Sequence, residues 1–335
     1  GMSGSFAFGF ASESPIPTCE LAQSGKPTPP ATASDRAPPA PPATEHSPSE
    51  VRSEQEWSVE EVVVETEAGP RHALRKPVQP EALLPELVGG GNDALGSSDL
   101  VCGVYEGGFK LWECAHDLMV VVEELRLQKA LAVRGARVLE AGCGAGLPGA
   151  LALQLGCAEL VLQDYNAAVL RWMTMPTLRL NGLWEHALRG EARFVSGDWA
   201  ELGPLLGSRA ADGDGFDLIL SADTIYSTAA TPRLWRLIAQ QLRHPTGTAL
   251  IAAKSYYFGV GGSVADFCAL VGQDGRFSCE SVRTFEDGQS NRREVLQVRW
   301  RDGSESSAAG QNHSKETSGS KRARAEDADI PSSSC

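Results

Sequence analysis

The residues best placed to do chemistry stand together in Val138-Leu139-Glu140-Ala141-Gly142-Cys143-Gly144-Ala145-Gly146-Leu147-Pro148-Gly149, where an apolar run ends in an acid and then in alternating glycines. Such a run is expected to be a strand entering a turn that cradles a nucleotide. Glycine is needed where backbone passes within contact of a ligand or takes a positive φ, and the helix after the turn points its free N–H groups at the same spot. A second acid, Asp164, closes the apolar stretch Glu159-Leu160-Val161-Leu162-Gln163 about 20 residues on, the spacing expected of a carboxylate that takes ribose hydroxyls in a β-α-β unit.

Gly144, Gly146 and Gly149 alone also fit the dinucleotide pattern G-x-G-x-x-G. Glu140, two residues before Gly142, gives instead the order E-x-G-x-G-x-G, which favours S-adenosylmethionine. A dehydrogenase reading also lacks a recognisable His or Lys acid near a second domain.

The elements that must position these residues alternate. Strands are expected at 137–140, 159–163, 192–195, 216–221 and 248–253, and helices at 147–155, 167–180, 232–242 and 264–271. Two late strands, 277–283 and 294–300, are joined through Asp287-Gly288. Alternation of this kind implies a mainly parallel sheet covered on both faces, and the late pair an antiparallel edge hairpin. The fold class is therefore α/β, the Rossmann-like seven-stranded class I methyltransferase plan. Ligands in such sheets lie beyond the C-terminal strand ends. That directs attention to Gly197-Asp198-Trp199, to Ser221-Ala222-Asp223-Thr224-Ile225-Tyr226 and to Lys254-Ser255-Tyr256-Tyr257-Phe258-Gly259-Val260-Gly261-Gly262, while the segment from Gly103 to Cys114, ahead of the first strand, is placed to fold over the cofactor.

Composition sets the boundaries. Ten of the 20 prolines lie in the first 50 residues, among Ser, Thr and Ala, a mixture that buries too little apolar surface to offset chain entropy. Residues 1–50 are expected to be a disordered leader, 51–98 an irregular lead-in with one β-like run at 59–64, 99–301 the folded domain and 302–335 a Ser-rich disordered tail. Of the net charge of −13, residues 1–100 carry 15 acids against 6 Lys and Arg, so the domain itself is near neutral. That argues against a general or sequence-specific nucleic-acid binder and fits a basic protein substrate. Eight cysteines without a repeated spacing, and no apolar run of about 18 residues, point to a reducing, soluble compartment and call for no membrane. Cys143 has no metal-ligand partner at suitable spacing, so no metal is expected.

Beyond the glycine turn, the chain resembles a family, the eukaryotic protein-histidine N-methyltransferases that modify a large-subunit ribosomal protein. The resemblance runs from Asp99 to Trp300 and is carried by Gly103-Val104-Tyr105-Glu106-Gly107-Gly108-Phe109-Lys110-Leu111-Trp112-Glu113-Cys114, Gln163-Asp164-Tyr165-Asn166, Thr224-Ile225-Tyr226 and Tyr257-Phe258-Gly259-Val260-Gly261-Gly262. Phe6-Ala7-Phe8-Gly9-Phe10 is similar to the aromatic alternation at that family's start. The resemblance implies a cofactor site of Leu111, Trp112, Glu113, Cys114, Glu140, Gly142, Gly144, Asp164, Tyr165, Asn166, Gly197, Asp198, Trp199 and Ser221. It implies S-adenosyl-L-methionine as methyl donor, S-adenosyl-L-homocysteine as product, and the tele nitrogen of a histidine in a ribosomal protein or pre-ribosomal particle as acceptor. Asp223 and Tyr226 are the expected catalytic pair, and Tyr256, Tyr257, Phe258, Gly259 and Gly261 the expected substrate contacts. Asp223 stands where a longer Glu is expected in relatives. A monomer in the cytoplasm and nucleus is expected. The alternatives are a protein-lysine methyltransferase of the same class, sharing an acid-x-x-Tyr after the fourth strand, and a non-catalytic cofactor-binding ribosome assembly factor.

Overall fold

Chain order and sheet order differ in a way that creates a crevice. The computed structural model describes residues 40–51, 58–78, 100, 103–206, 214–288 and 291–301. Its strands are β1 (Thr44–His46), β2 (Ser58–Val64), β3 (His72–Val78), β4 (Arg137–Ala141), β5 (Glu159–Asp164), β6 (Ala192–Ser196), β7 (Leu218–Ala222), β8 (Thr248–Lys254), β9 (Phe277–Phe285) and β10 (Arg293–Trp300). Eight of them form one sheet in the order β1-β6-β5-β4-β7-β8-β10-β9. The inner pairs β6/β5, β5/β4, β4/β7 and β7/β8 are parallel. From β4 the chain steps outward through β5 and β6, then returns to the other side of β4 with β7. The switch point lies between β4 and β7, and a crevice opens above their C-terminal ends.

Each inner strand is apolar on both faces because both faces are covered. Val138, Leu160, Leu162, Leu218 and Leu220 join one buried layer with the helix Glu113–Leu127, here α1. Their alternates Leu139, Val161, Ile219 and Ile251 join the other, with Trp235 and Phe267. The late hairpin pairs antiparallel, with β10 inserted between β8 and β9. β2 and β3 form a separate antiparallel ribbon, so the β-like run at 59–64 has a partner in the lead-in that was expected to be irregular.

The sheet has eight strands, one more than expected. The additional strand, β1, pairs antiparallel with β6 and falls inside the stretch expected to be leader. Side chains hold it: His46 Nε2 lies 2.7 Å from Ser196 Oγ, and Arg193 forks onto Glu45 at 2.8 Å through both Nε and Nη2. The incoming backbone crosses Gly197, where a Cβ would come within 2.8 Å of Ala43 Cα. Residues 1–39, with the aromatic alternation Phe6–Phe10, and the tail 302–335 lie outside the described residues.

Arg293 fixes α1 to the hairpin. Its Nε donates to Asp117 Oδ2 at 2.6 Å and its Nη1 to Asp287 Oδ2 at 2.9 Å, with Glu113 Oε2 at 3.7 Å. Both Arg293 and Asp117 are buried. Removing one partner of a buried pair costs about 3–5 kcal/mol because the other charge stays behind uncompensated. Arg293→Met is expected to lower unfolding free energy by about that amount in urea titrations; a loss below about 1 kcal/mol would show the pair to be solvated.

Candidate active site

The cleft above β4, β5, β6 and β7 has a volume of about 880 Å³ including its open mouth, within the range of small-molecule sites. β4 delivers Glu140, and the chain then turns through Gly142, Gly144 and Gly146, with φ of 68°, 50° and 70°. At Gly144 the requirement is also one of space, since a Cβ would lie 3.2 Å from the Gly108 carbonyl oxygen of the loop that covers the cleft.

Glu140 points back into this turn, its Oε2 accepting from Gly149 N at 2.7 Å. Burial pushes its carboxyl up to about 8, against the pull of that amide. An acid with a raised folded pKa stabilises the fold below its unfolded value and loses that contribution as pH climbs through the folded value. Stability is therefore expected to fall between about pH 4.5 and 8 and to level off above that, and Glu140→Gln, which keeps an acceptor for Gly149, to flatten the fall. Urea midpoints at the two pH values measure it; an unchanged slope in the variant contradicts it.

Asp164, at the end of β5, accepts from Gly144 N at 2.9 Å and Asn166 N at 3.0 Å. Burial raises its carboxyl to about 6. Gln163 beside it is fully buried. Its Oε1 accepts from Gly142 N at 3.1 Å and Trp199 Nε1 at 2.7 Å, and its Nε2 donates to Gly197 O at 2.9 Å. One amide thus joins the glycine turn to the segment after β6. The sequence signal for it was a polar residue at a buried position of an apolar strand.

Leu111, Trp112, Glu140, Gly142, Gly144, Asp164, Tyr165, Gly197, Asp198 and Trp199 line the cleft, as do Asp223 and Tyr226. Glu113, Cys114, Asn166 and Ser221 stand behind the lining. Cys114 N donates to Asp223 Oδ2 at 3.2 Å. Ser221 Oγ donates to Ala141 O at 2.7 Å, tying β7 to β4. Asn166 clamps the covering loop, accepting from Glu106 N at 3.1 Å and donating to Val104 O at 2.8 Å. The Tyr165 hydroxyl donates to Gly103 O at 3.1 Å. Glu106 and Thr224, from stretches already singled out in the sequence, also line the cleft, and so does Arg233, which the sequence did not point to. Arg233 pairs with Asp198 across the mouth.

Asp223 has both oxygens engaged within the chain: Oδ2 on Cys114 N, and Oδ1 on the Tyr257 hydroxyl at 2.7 Å. Burial raises its carboxyl, and the hydrogen bonds from Tyr257 and Cys114 pull it down. Tyr257 is buried, whereas Tyr256 and Phe258 beside it are 46% and 66% exposed and meet edge to face at 5.0 Å. Gly259 and Gly261 shape the same loop. The Tyr226 hydroxyl donates to Glu106 Oε2.

A nucleoside-bearing sulfonium fits this donor set: a buried carboxylate beside the glycine turn for ribose hydroxyls, two indoles in the wall, and acids around the mouth for positive charge. The sheet order, glycine turn and second acid define a class I methyltransferase fold. A family described as lysine methyltransferase matches residues 103–257. Several relatives carry the name histidine protein methyltransferase 1 homolog. That of Dictyostelium discoideum is 39% identical over 61% of each chain. That of Bos taurus is 34% identical over 57% of this chain and 55% of its own, and that of Mus musculus 32% identical over 69% and 68%. The chain belongs to this histidine protein methyltransferase 1 homolog family. It spans about six-tenths of the Dictyostelium relative's length. Among solved structures, magnesium protoporphyrin IX methyltransferase from Synechocystis with bound SAH overlaps at a TM-score of 0.41 and 17% identity, over 55% of this chain and 82% of its own.

Proposed function

We propose that this chain transfers a methyl group from S-adenosylmethionine to an imidazole nitrogen, the tele nitrogen, of a histidine in a large-subunit ribosomal protein. The observation that carries the cofactor half is the junction of Asp164 with the Gly144 amide, which sets a ribose-binding acid against a turn built for close backbone approach. The relatives' name supports the histidine half.

When bound, the cofactor supplies an electrophilic methyl group on a cationic sulfur. The chain's own residues then have to orient the acceptor and exclude water. Histidine is largely neutral near pH 7, with a reference pKa of about 6.5, so no strong base is needed. Asp164 and the glycine turn hold the nucleoside end, and Trp112 and Trp199 wall it. Asp223 acts by position: it ties the first turn of α1, and with it the Trp112 wall, to Tyr257 of the loop after β8. Tyr226 and the exposed pair Tyr256 and Phe258 receive the acceptor and its flanking residues. A monomer working in the cytoplasm and nucleus accords with this substrate.

The second reading, methylation of lysine, is favoured by the description of the family matched at residues 103–257 and by the acid-x-x-Tyr spacing of Asp223 and Tyr226. It requires an acceptor deprotonated from a reference pKa of about 10.4. The purified chain, incubated with methyl-labelled S-adenosylmethionine and large-subunit ribosomal proteins, should yield label that acid hydrolysis recovers as methylhistidine. Methyllysine would install the second reading. Cofactor binding with no transfer would install a non-catalytic assembly factor.

A further inference from the structure

Glu106 enters the cleft from the covering loop rather than from a strand end. Its Oε1 accepts from Gly103 N at 2.7 Å, its Oε2 from the Tyr226 hydroxyl, and its backbone N–H is held by Asn166. It thereby bridges the loop before α1 to the segment after β7, both of which line the cleft. The other carboxylates of the lining are buried, with Asp223 on Tyr257 and Cys114, Asp198 on Ala200 N and Arg233, Glu140 on Gly149 N, and Asp164 on Gly144 N and Asn166 N, whereas Glu106 is only partly buried. Each carboxylate oxygen has two acceptor positions, so Glu106 keeps one on each oxygen beyond its Gly103 and Tyr226 bonds.

A neutral imidazole has one nitrogen with a lone pair and one with a proton, and only the first can attack. A fixed carboxylate beside the ring settles which nitrogen is which. We infer that Glu106, oriented by Tyr226, accepts the N–H of the acceptor imidazole and so selects the ring nitrogen that is methylated. The inference rests on the histidine reading above. As the lone pair of the attacking nitrogen forms the new N–C bond, the C–S bond breaks and its electron pair stays on sulfur. The ring becomes a methylimidazolium, and the proton on its other nitrogen passes to Glu106 and on to water. Burial raises the Glu106 carboxyl above its ordinary range, while the Gly103 amide and Arg233 oppose the rise, which suits a group that takes up a proton and returns it.

The test uses the full chain, large-subunit ribosomal proteins and labelled S-adenosylmethionine, with the two methylhistidine isomers separated after hydrolysis. Wild type should give one isomer. Glu106→Gln should bind S-adenosylhomocysteine within about twofold of wild type, lose turnover on the order of 100-fold and give a mixture of isomers. Glu106→Asp, which keeps a carboxylate, should be slower but retain a single isomer. A Glu106→Gln chain with near-wild-type turnover and one isomer overturns the inference. So does one that loses S-adenosylhomocysteine binding, which would place Glu106 with the cofactor. Label from wild type in any residue but histidine sinks the underlying reading instead, and no variant is needed to see it.

Discussion

Asp164→Ala is expected to weaken S-adenosylhomocysteine binding by on the order of 100-fold or more, the larger of two effects rooted in the architecture. The carboxylate has two duties. It accepts from the Gly144 and Asn166 amides, holding the glycine turn against the end of β5. Its remaining lone pairs are available to ribose hydroxyls. A hydrogen bond to a charged group contributes about 1.5–3 kcal/mol, so losing two toward the ribose costs about 3 kcal/mol or more. Asp164→Asn keeps an acceptor for one partner and should fall between wild type and alanine. Calorimetric titration measures the constants, with thermal unfolding run alongside to show that the sheet still forms. An alanine variant that binds within about threefold of wild type would remove Asp164 from the site.

The second large effect belongs to a residue that contacts no ligand. Gly262 passes so close to the segment after β7 that a Cβ would lie 2.0 Å from the Ile225 carbonyl oxygen and 2.3 Å from the Tyr226 carbonyl carbon. Both obstacles are backbone, so neither can rotate away. The same close approach lets Gly262 N donate to Tyr226 O at 2.9 Å, while Tyr257 N donates to Gly262 O at 2.9 Å. Gly262→Ala must therefore push the Tyr226 segment aside. Overpacking of this kind costs about 1–3 kcal/mol of stability. The effect on turnover should be larger, on the order of 100-fold, because a displacement of about 1 Å at a positioning element costs that much in rate. Cofactor binding, held by Asp164 and the turn after β4, should change little. Steady-state kinetics beside calorimetry separates the two, and near-normal turnover in Gly262→Ala would mean that Tyr226 need not be fixed.

Local features were the ones legible in the sequence. The strands of the parallel core showed as short apolar runs, and β9 and β10 as two runs around Asp287-Gly288, because burial on both faces and turn chemistry act within a few residues. Glu140, the glycines and Asp164 were legible for the same reason: each stands where a strand gives way to its turn. β1 was not, since three residues among prolines have no periodicity, and the pairing that orders them is with residues about 150 positions away. That the loop around Glu106 covers the cleft was legible, but the contacts that hold it there, on Asn166 and Tyr226, 60 and 120 residues downstream, were not. Asp223 was singled out by its position after β7. That both its oxygens are engaged by Tyr257 and Cys114 emerged only from the tertiary structure. Gln163 stood beside Asp164 in a matching stretch, yet its three hydrogen bonds reach Gly142, Trp199 and Gly197 on two other segments.

The central claim is that the cleft between the ends of β4 and β7 is an S-adenosylmethionine site and not a dinucleotide site, which the glycine spacing alone would also allow. Equilibrium dialysis of the full chain against labelled S-adenosylhomocysteine, with S-adenosylmethionine and NAD as competitors, tests it most directly. An S-adenosylmethionine site requires one molecule bound per chain, displaced by S-adenosylmethionine and untouched by NAD. Binding of NAD in its place, or no binding of S-adenosylhomocysteine by a folded chain, would contradict it.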